Sequence, residues 1–127
     1  MKVLGINWVG VKTDTFGPSC AFFTDVMGLE ISYQRADFVV LELPDGDKLE
    51  LFGPGGPDPK SQFRHNQVVA GFWVVDIEGA RAELIAGGAE LLGELEGAGG
   101  GYQWQHFRAP DGKVFELCSD PRRSPPG

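Results

Sequence analysis

The segment PDGDKLELF at residues 44–52 returns, ungapped, as PDGKVFELC at residues 110–118. The offset of 66 residues lays Pro44 on Pro110, Asp45 on Asp111, Gly46 on Gly112, Glu50 on Glu116 and Leu51 on Leu117. A Pro-Asp-Gly turn is common by itself. A turn followed twice, at the same distance, by Glu-Leu marks a duplicated unit. The offset is about half of the 127 residues, so the chain must fold as two halves of like architecture. Those halves are repeats at 3–53 and 70–120 within one domain over 1–127.

Each half reads the same way around its hairpin. Val3–Lys12 has strand character, and Thr13-Asp14-Thr15 offers a helix start with Pro18 in the first turn. Phe16, Cys20, Phe23 and Met27 then fall on one helical face, and Gly28 stops the helix. Strands follow at 30–35, 37–43 and 47–52. In the second half Gly71–Val75 is a strand and Asp76 an N-cap, and Ile77, Ala80, Leu84 and Ile85 make the helical stripe. Gly87-Gly88 ends it, and strands follow at 89–95, 102–109 and 113–118. The order is βαβββ, twice. The stretch GPGGPDPKSQFRHN at 53–66 holds too much proline and glycine for regular structure, so 54–69 is a connector. Glu96–Gly101, with its glycines, is a loop that either covers a site or lies plainly on the surface. Pro121–Gly127 is expected as a loose tail.

A net charge of −7 repels phosphate backbones and argues against a nucleic-acid partner. It suits a cationic ligand, besides keeping a small domain soluble. No apolar run approaches the roughly 20 residues of a membrane span. The start, MKVLG, does not read as a signal peptide, which gives a cytoplasmic expectation. Cys20 and Cys118, without a CxxC, read as two free thiols.

A doubled βαβββ with a PDG-x(3)-E-L closing hairpin in each half resembles the vicinal oxygen chelate superfamily. That group includes glyoxalase I, bleomycin-resistance proteins, methylmalonyl-CoA epimerases and extradiol dioxygenases. AFFTDVMGL at 21–29 and AELIAGG at 82–88 resemble its two helix motifs. The resemblance covers about residues 3–120. It implies an α+β fold in which the two modules form a cup-shaped mixed sheet with helices outside. It also implies metal-ligand positions on the first and last strand of each half, which fall on Trp8, Glu50, Phe72 and Glu116. The family usually places His at the first and third of these. Here both are aromatic, and two carboxylates without imidazole are a thin ligand set for zinc, nickel or iron. The expectation is therefore no cofactor. A divalent metal on Glu50, His106 and Glu116 is the alternative.

Strand alternation assigns the rest. Val39, Leu41 and Leu43 are apolar and face the helix, which by the offset sends Gln105, Phe107 and Ala109 the same way. Phe38, Val40 and Glu42, with Trp104, His106 and Arg108, then face the cup. Ile6, Trp8 and Gly10, with Phe72 and Val74, are assigned there too. The expected ligand-binding residues are Trp8, Phe38, Glu50, Phe72, Trp104 and Arg108. A mostly apolar wall with a few polar groups suits a small organic molecule, and ring faces also hold cations. His106 and Glu116 are the candidate acid–base pair. Arg108 is a candidate counter-charge for a buried glutamate. The plainer alternatives are that Trp8 and Phe72 simply fill the vacant ligand positions as core, and that His106 is structural. Two function classes follow: a metal-independent binding protein of the bleomycin-resistance kind, or a lyase, isomerase or dioxygenase of the same superfamily. Open sheet edges further imply a homodimer.

Overall fold

The computed structural model describes residues 1–126 and has an α+β architecture of two βαβββ modules. The first holds β1 (Val3–Lys12), α1 (Phe16–Ala21), β2 (Glu30–Arg35), β3 (Phe38–Glu42) and β4 (Lys48–Phe52). The second holds β5 (Val68–Val74), α2 (Ile77–Ala86), β6 (Glu90–Gly97), β7 (Gln103–Arg108) and β8 (Val114–Ser119). In contact terms the chain forms two compact bodies. One comprises residues 8–69, and the other residues 1–7 with 70–126.

The repeat is reproduced bond for bond at the two hairpins. Leu43 N–H donates to Asp47 O at 2.8 Å and Gly46 N–H to Leu43 O at 2.9 Å. Ala109 N–H donates to Lys113 O and Gly112 N–H to Ala109 O, both at 2.9 Å. In each turn the aspartate accepts from the backbone two residues on, at 3.0 Å for Asp45 and 3.1 Å for Asp111. Gly46 and Gly112 adopt φ of 92° and 87°, the left-handed region that favours glycine. The tight turn fixes the register of each hairpin, and therefore which face receives each side chain.

In the first body β1 runs parallel to β4, with Trp8 on Lys48 and Gly10 on Glu50. β4 pairs antiparallel to β3, with Phe38 on Phe52 and Val40 on Glu50. Val39, Leu41 and Leu51 are fully buried, and Val11, Phe16, Cys20 and Phe23 pack on them. That is the helix side, as alternation predicts. Met27 does not join the stripe, being 56 % exposed. The helix widens to a π-helix over Phe22–Val26, so the 3.6-residue period is lost before Met27. Thr24 sits in this widened turn, its hydroxyl donating to Cys20 O at 3.0 Å.

In the second body β5 is parallel to β8 and β8 antiparallel to β7. Asp76 caps α2 by accepting from Gly79 N–H at 3.0 Å. The helix buries Ile77 and Ala80 and rests Leu84 against Val74, Phe107 and Leu117, whereas Ile85 is exposed. Gln105 is fully buried on this side. Its oxygen accepts from Arg81 Nε at 2.9 Å, and its nitrogen donates to the carbonyls of Leu92, Gly93 and His106. The expected connector is irregular only as far as Gln67, because Val68 and Val69 already belong to β5, and it is tied down. Lys12 donates to Gly53 O and to Asp58, and Phe63 is buried. Both cysteines are free, Cys118 buried and Cys20 half-buried.

Candidate functional site

Two faces carry the chemistry, one in each body. On the first, Trp8 and Gly10 of β1 lie on the same side as Glu50 of β4, set by the pairing of Gly10 with Glu50. Trp8 is 4 % exposed, and its six-membered ring lies directly over Gly10. A Cβ added to Gly10 would stand 2.3 Å from the Trp8 ring, so only glycine admits this pose. The Trp8 side chain adjoins the Glu50 carboxyl and, with the nearby Lys48, favours its charged form. Burial outweighs both and pushes the Glu50 pKa up to about 7. Glu50 is thus a carboxyl poised to exchange a proton near neutrality.

Rings extend this face. Phe38 stands cross-strand to Phe52 at 5.0 Å between centroids, Tyr33 lies 6.0 Å from Phe38, and Phe63 of the connector lies 5.2 Å from Phe52. The Arg35 guanidinium sits 5.8 Å above the Phe38 ring. Phe38 therefore occupies the face assigned to it, beside Glu50.

On the second face β7 and β8 set His106 opposite Glu116 and Trp104 opposite Cys118. His106 and Glu116 are both buried, with His106 Nε2 4.0 Å from Glu116 Oε2, beyond hydrogen-bond length. Burial pushes the His106 pKa down to about 4, so its imidazole is neutral at pH 7. Tyr102 packs 5.9 Å from Trp104. Arg108 is on the same face but serves another partner. Its Nε is 3.4 Å from Glu90, and its Nη1 donates to Gly112 O at 3.2 Å. It closes the hairpin end.

One expected site residue is misplaced. Phe72 pairs with Leu117 and packs with Val74, Ile77, Ala80 and Phe115 on the α2 side, away from Glu116. Val74 goes with it. The residues of β5 that share the Glu116 face are Gly71, partnered with Glu116, and Trp73, partnered with Cys118. The error is one residue of register, which inverts every side chain of a strand. Trp73, Phe52, Phe63, Tyr33 and Tyr102 are rings that sequence reading missed. It also missed Asn7, which is 4 % exposed and whose Oδ1 has no hydrogen-bond partner among the described residues.

A family sequence model, Glyoxalase/Bleomycin resistance protein/Dioxygenase superfamily, matches residues 5–117. The chain belongs to this superfamily. No curated protein sequence matches it. Among solved structures it is similar to a superfamily member from Vibrio splendidus 12B01, with 25 % identity over 94 % of this chain and 100 % of that one, at TM-score 0.65. It is also similar to a Mn(II)-bound glyoxalase from Novosphingobium aromaticivorans, with 25 % identity, 94 % of this chain, 40 % of that one and TM-score 0.75. A third is a Streptomyces coelicolor methylmalonyl-CoA epimerase variant in complex with 2-nitronate-propionyl-CoA. It is 17 % identical over 94 % of this chain and 99 % of that one, with TM-score 0.72, and speaks for the fold alone.

The similar structures include a metal-bound one. Among the described residues no three of His, Cys, Asp and Glu gather as a metal cluster. Trp8 and Phe72, at two of the four ligand positions, carry no atom that ligates a metal, which leaves Glu50 and Glu116 as carboxylates without imidazole. The residues present do not fit a family-type metal centre.

Proposed function

We propose that this superfamily member binds a small organic molecule, aromatic or cationic, on the ring-lined face that holds Trp8, Phe38 and Glu50, and that it does so without a metal. The observation that carries the reading is the Trp8 ring laid over Gly10, the strand partner of Glu50. An indole adjoins the carboxyl at a metal-ligand position of the fold. The surrounding rings offer stacking area with little side-chain entropy to lose. Glu50 supplies the orienting polar group. Trp104 and His106 on the second face are further candidate contacts.

Tryptophan fluorescence is the readout, with a panel of aromatic amines, quaternary ammonium compounds and bleomycin-type antibiotics. The expected result is saturable quenching or a wavelength shift that Trp8→Phe reduces. A cation prefers the ionised Glu50, so its affinity should rise as pH climbs through about 7. Unchanged fluorescence across the panel overturns the reading. So does near one equivalent of zinc, nickel, iron or manganese in protein purified without a chelating tag.

The value of about 7 at Glu50 favours one second reading, a metal-independent isomerase or lyase with Glu50 as acid–base group. Solvent-deuterium incorporation next to the carbonyl of an acyl thioester substrate, lost in Glu50→Gln, would decide for it.

A further inference from the structure

The glycine run of the β6–β7 loop and the segment after β8 fit each other. Gly100 and Gly101 hold φ of 76° and 83°. A Cβ on Gly100 would meet Arg122 Nη1 at 2.7 Å, and one on Gly101 would meet Pro121 Cγ at 2.8 Å. Both the backbone conformation and the close approach therefore demand glycine. The loop is a seat for Pro121 and Arg122. Buried Asp120 fixes the turn that delivers them, accepting from Arg122 N–H at 3.0 Å and Arg122 Nε at 3.3 Å through Oδ1. Its carbonyl accepts from Arg123 N–H at 3.1 Å. The product of this turn is the placement of Arg123, whose guanidinium carbon lies 4.2 Å from the centroid of the Trp73 ring.

Trp73 stands on the face of Glu116, in one row with Cys118 and Trp104. A cation this close to an indole centroid is well inside the roughly 6 Å range of cation–π attraction, and Trp is the best of the ring partners. We propose that Trp73 is a platform for an organic cation, and that Arg123 is its resident occupant until an exogenous quaternary ammonium or guanidinium displaces it. The segment 120–123 then acts as an internal competitor on the second body. This goes beyond the ligand face of Trp8, Phe38 and Glu50 and does not depend on it.

The test uses the whole chain, with benzyltrimethylammonium as the probe and the Arg123 side-chain NMR signals as one readout. The Trp73 ring current should shift the Arg123 δ-methylene and Nε–H signals upfield in free protein. Saturation with the probe should return them toward random-coil positions. Arg123→Ala should tighten probe binding by roughly threefold or more, since it removes at least this cation–π contact. Arg123→Lys should hold affinity near wild type, because it restores a cation. Random-coil Arg123 signals in the free protein overturn the proposal, as do probe binding that leaves them unmoved, equal affinity in Arg123→Ala, and no binding to either protein. A probe that perturbs Trp8 but not Trp73 or Arg123 supports the first-body ligand face while sinking this one.

Discussion

Two ionisable side chains, half-buried Glu50 and buried His106, are shifted in opposite directions, and each leaves a distinct mark on stability. Glu50 has its folded pKa raised from 4.5 to about 7, so the folded state holds this proton more tightly than the unfolded one. Its contribution is fully present below pH 4.5 and is lost as pH rises through about 7. His106 has its pKa lowered from 6.5 to about 4, so its contribution is present above 6.5 and is lost as pH falls through about 4. Each shift is worth at most about 3 kcal/mol. The slopes oppose each other between these limits and partly cancel in the wild type. Glu50→Gln should therefore gain stability relative to wild type as pH rises from 4.5 to 7. His106→Gln should gain relative to wild type as pH falls from 6.5 to 4. Urea melts across this range check both signs, and parallel pH profiles for all three proteins would contradict the burial of these groups. A second residue-scale consequence concerns Gly10. Gly10→Ala drives a methyl into the Trp8 ring, so the ring must leave its place. Overpacking of this kind costs about 1–3 kcal/mol. The variant should be destabilised and its Trp8 emission red-shifted, whereas Gly5→Ala, with open space around it, should do neither.

At the level of elements, legibility followed the strength of local constraint. The hairpins around Gly46 and Gly112 were readable because the turn chemistry leaves one conformation, and the offset then carried β3 onto β7 in the correct register. For that reason Phe38, His106 and Trp104 lie on the faces that alternation and the offset assign. β5 lacks such an anchor. It follows an irregular connector and reads VVAGFWV, apolar on both faces, so alternation gives no vote between Phe72 and Trp73. Helix α1 shows another limit, because the change of pitch at Phe22 is a backbone event with no periodic signature. The position of Phe72 makes a prediction at this scale. Its ring packs between β8 and the α2 cluster, so Phe72→Ala should cost about 2–4 kcal/mol. Probe binding to the protein that remains folded should be unchanged. Loss of binding without loss of stability would return Phe72 to the ligand face.

For the whole molecule the open question is how its edges are covered. β2 borders the first body's sheet, and all six of its residues are exposed. Ile31 and Tyr33 on that strand, with Phe22, Val26 and Met27 from the helix before it, are large apolar side chains open to solvent. An unpaired strand edge beside apolar surface is a site of association unless something blunts it. The charges on β2, Glu30 and Arg35, lie at its ends and leave the middle, Ile31 to Gln34, uncharged. Among the described residues no helix is long and apolar enough to cross a membrane, so a bilayer-spanning helix does not account for this surface. A second copy of the chain is the cover we predict. Light scattering at micromolar concentration should give about twice 13.7 kDa. Ile31→Lys, which places a charge in the uncharged middle of the strand, should return the mass to that of one chain while leaving the fold intact. A wild-type mass of one chain rules the homodimer out. A dimer that survives Ile31→Lys keeps the assembly but moves its interface away from β2.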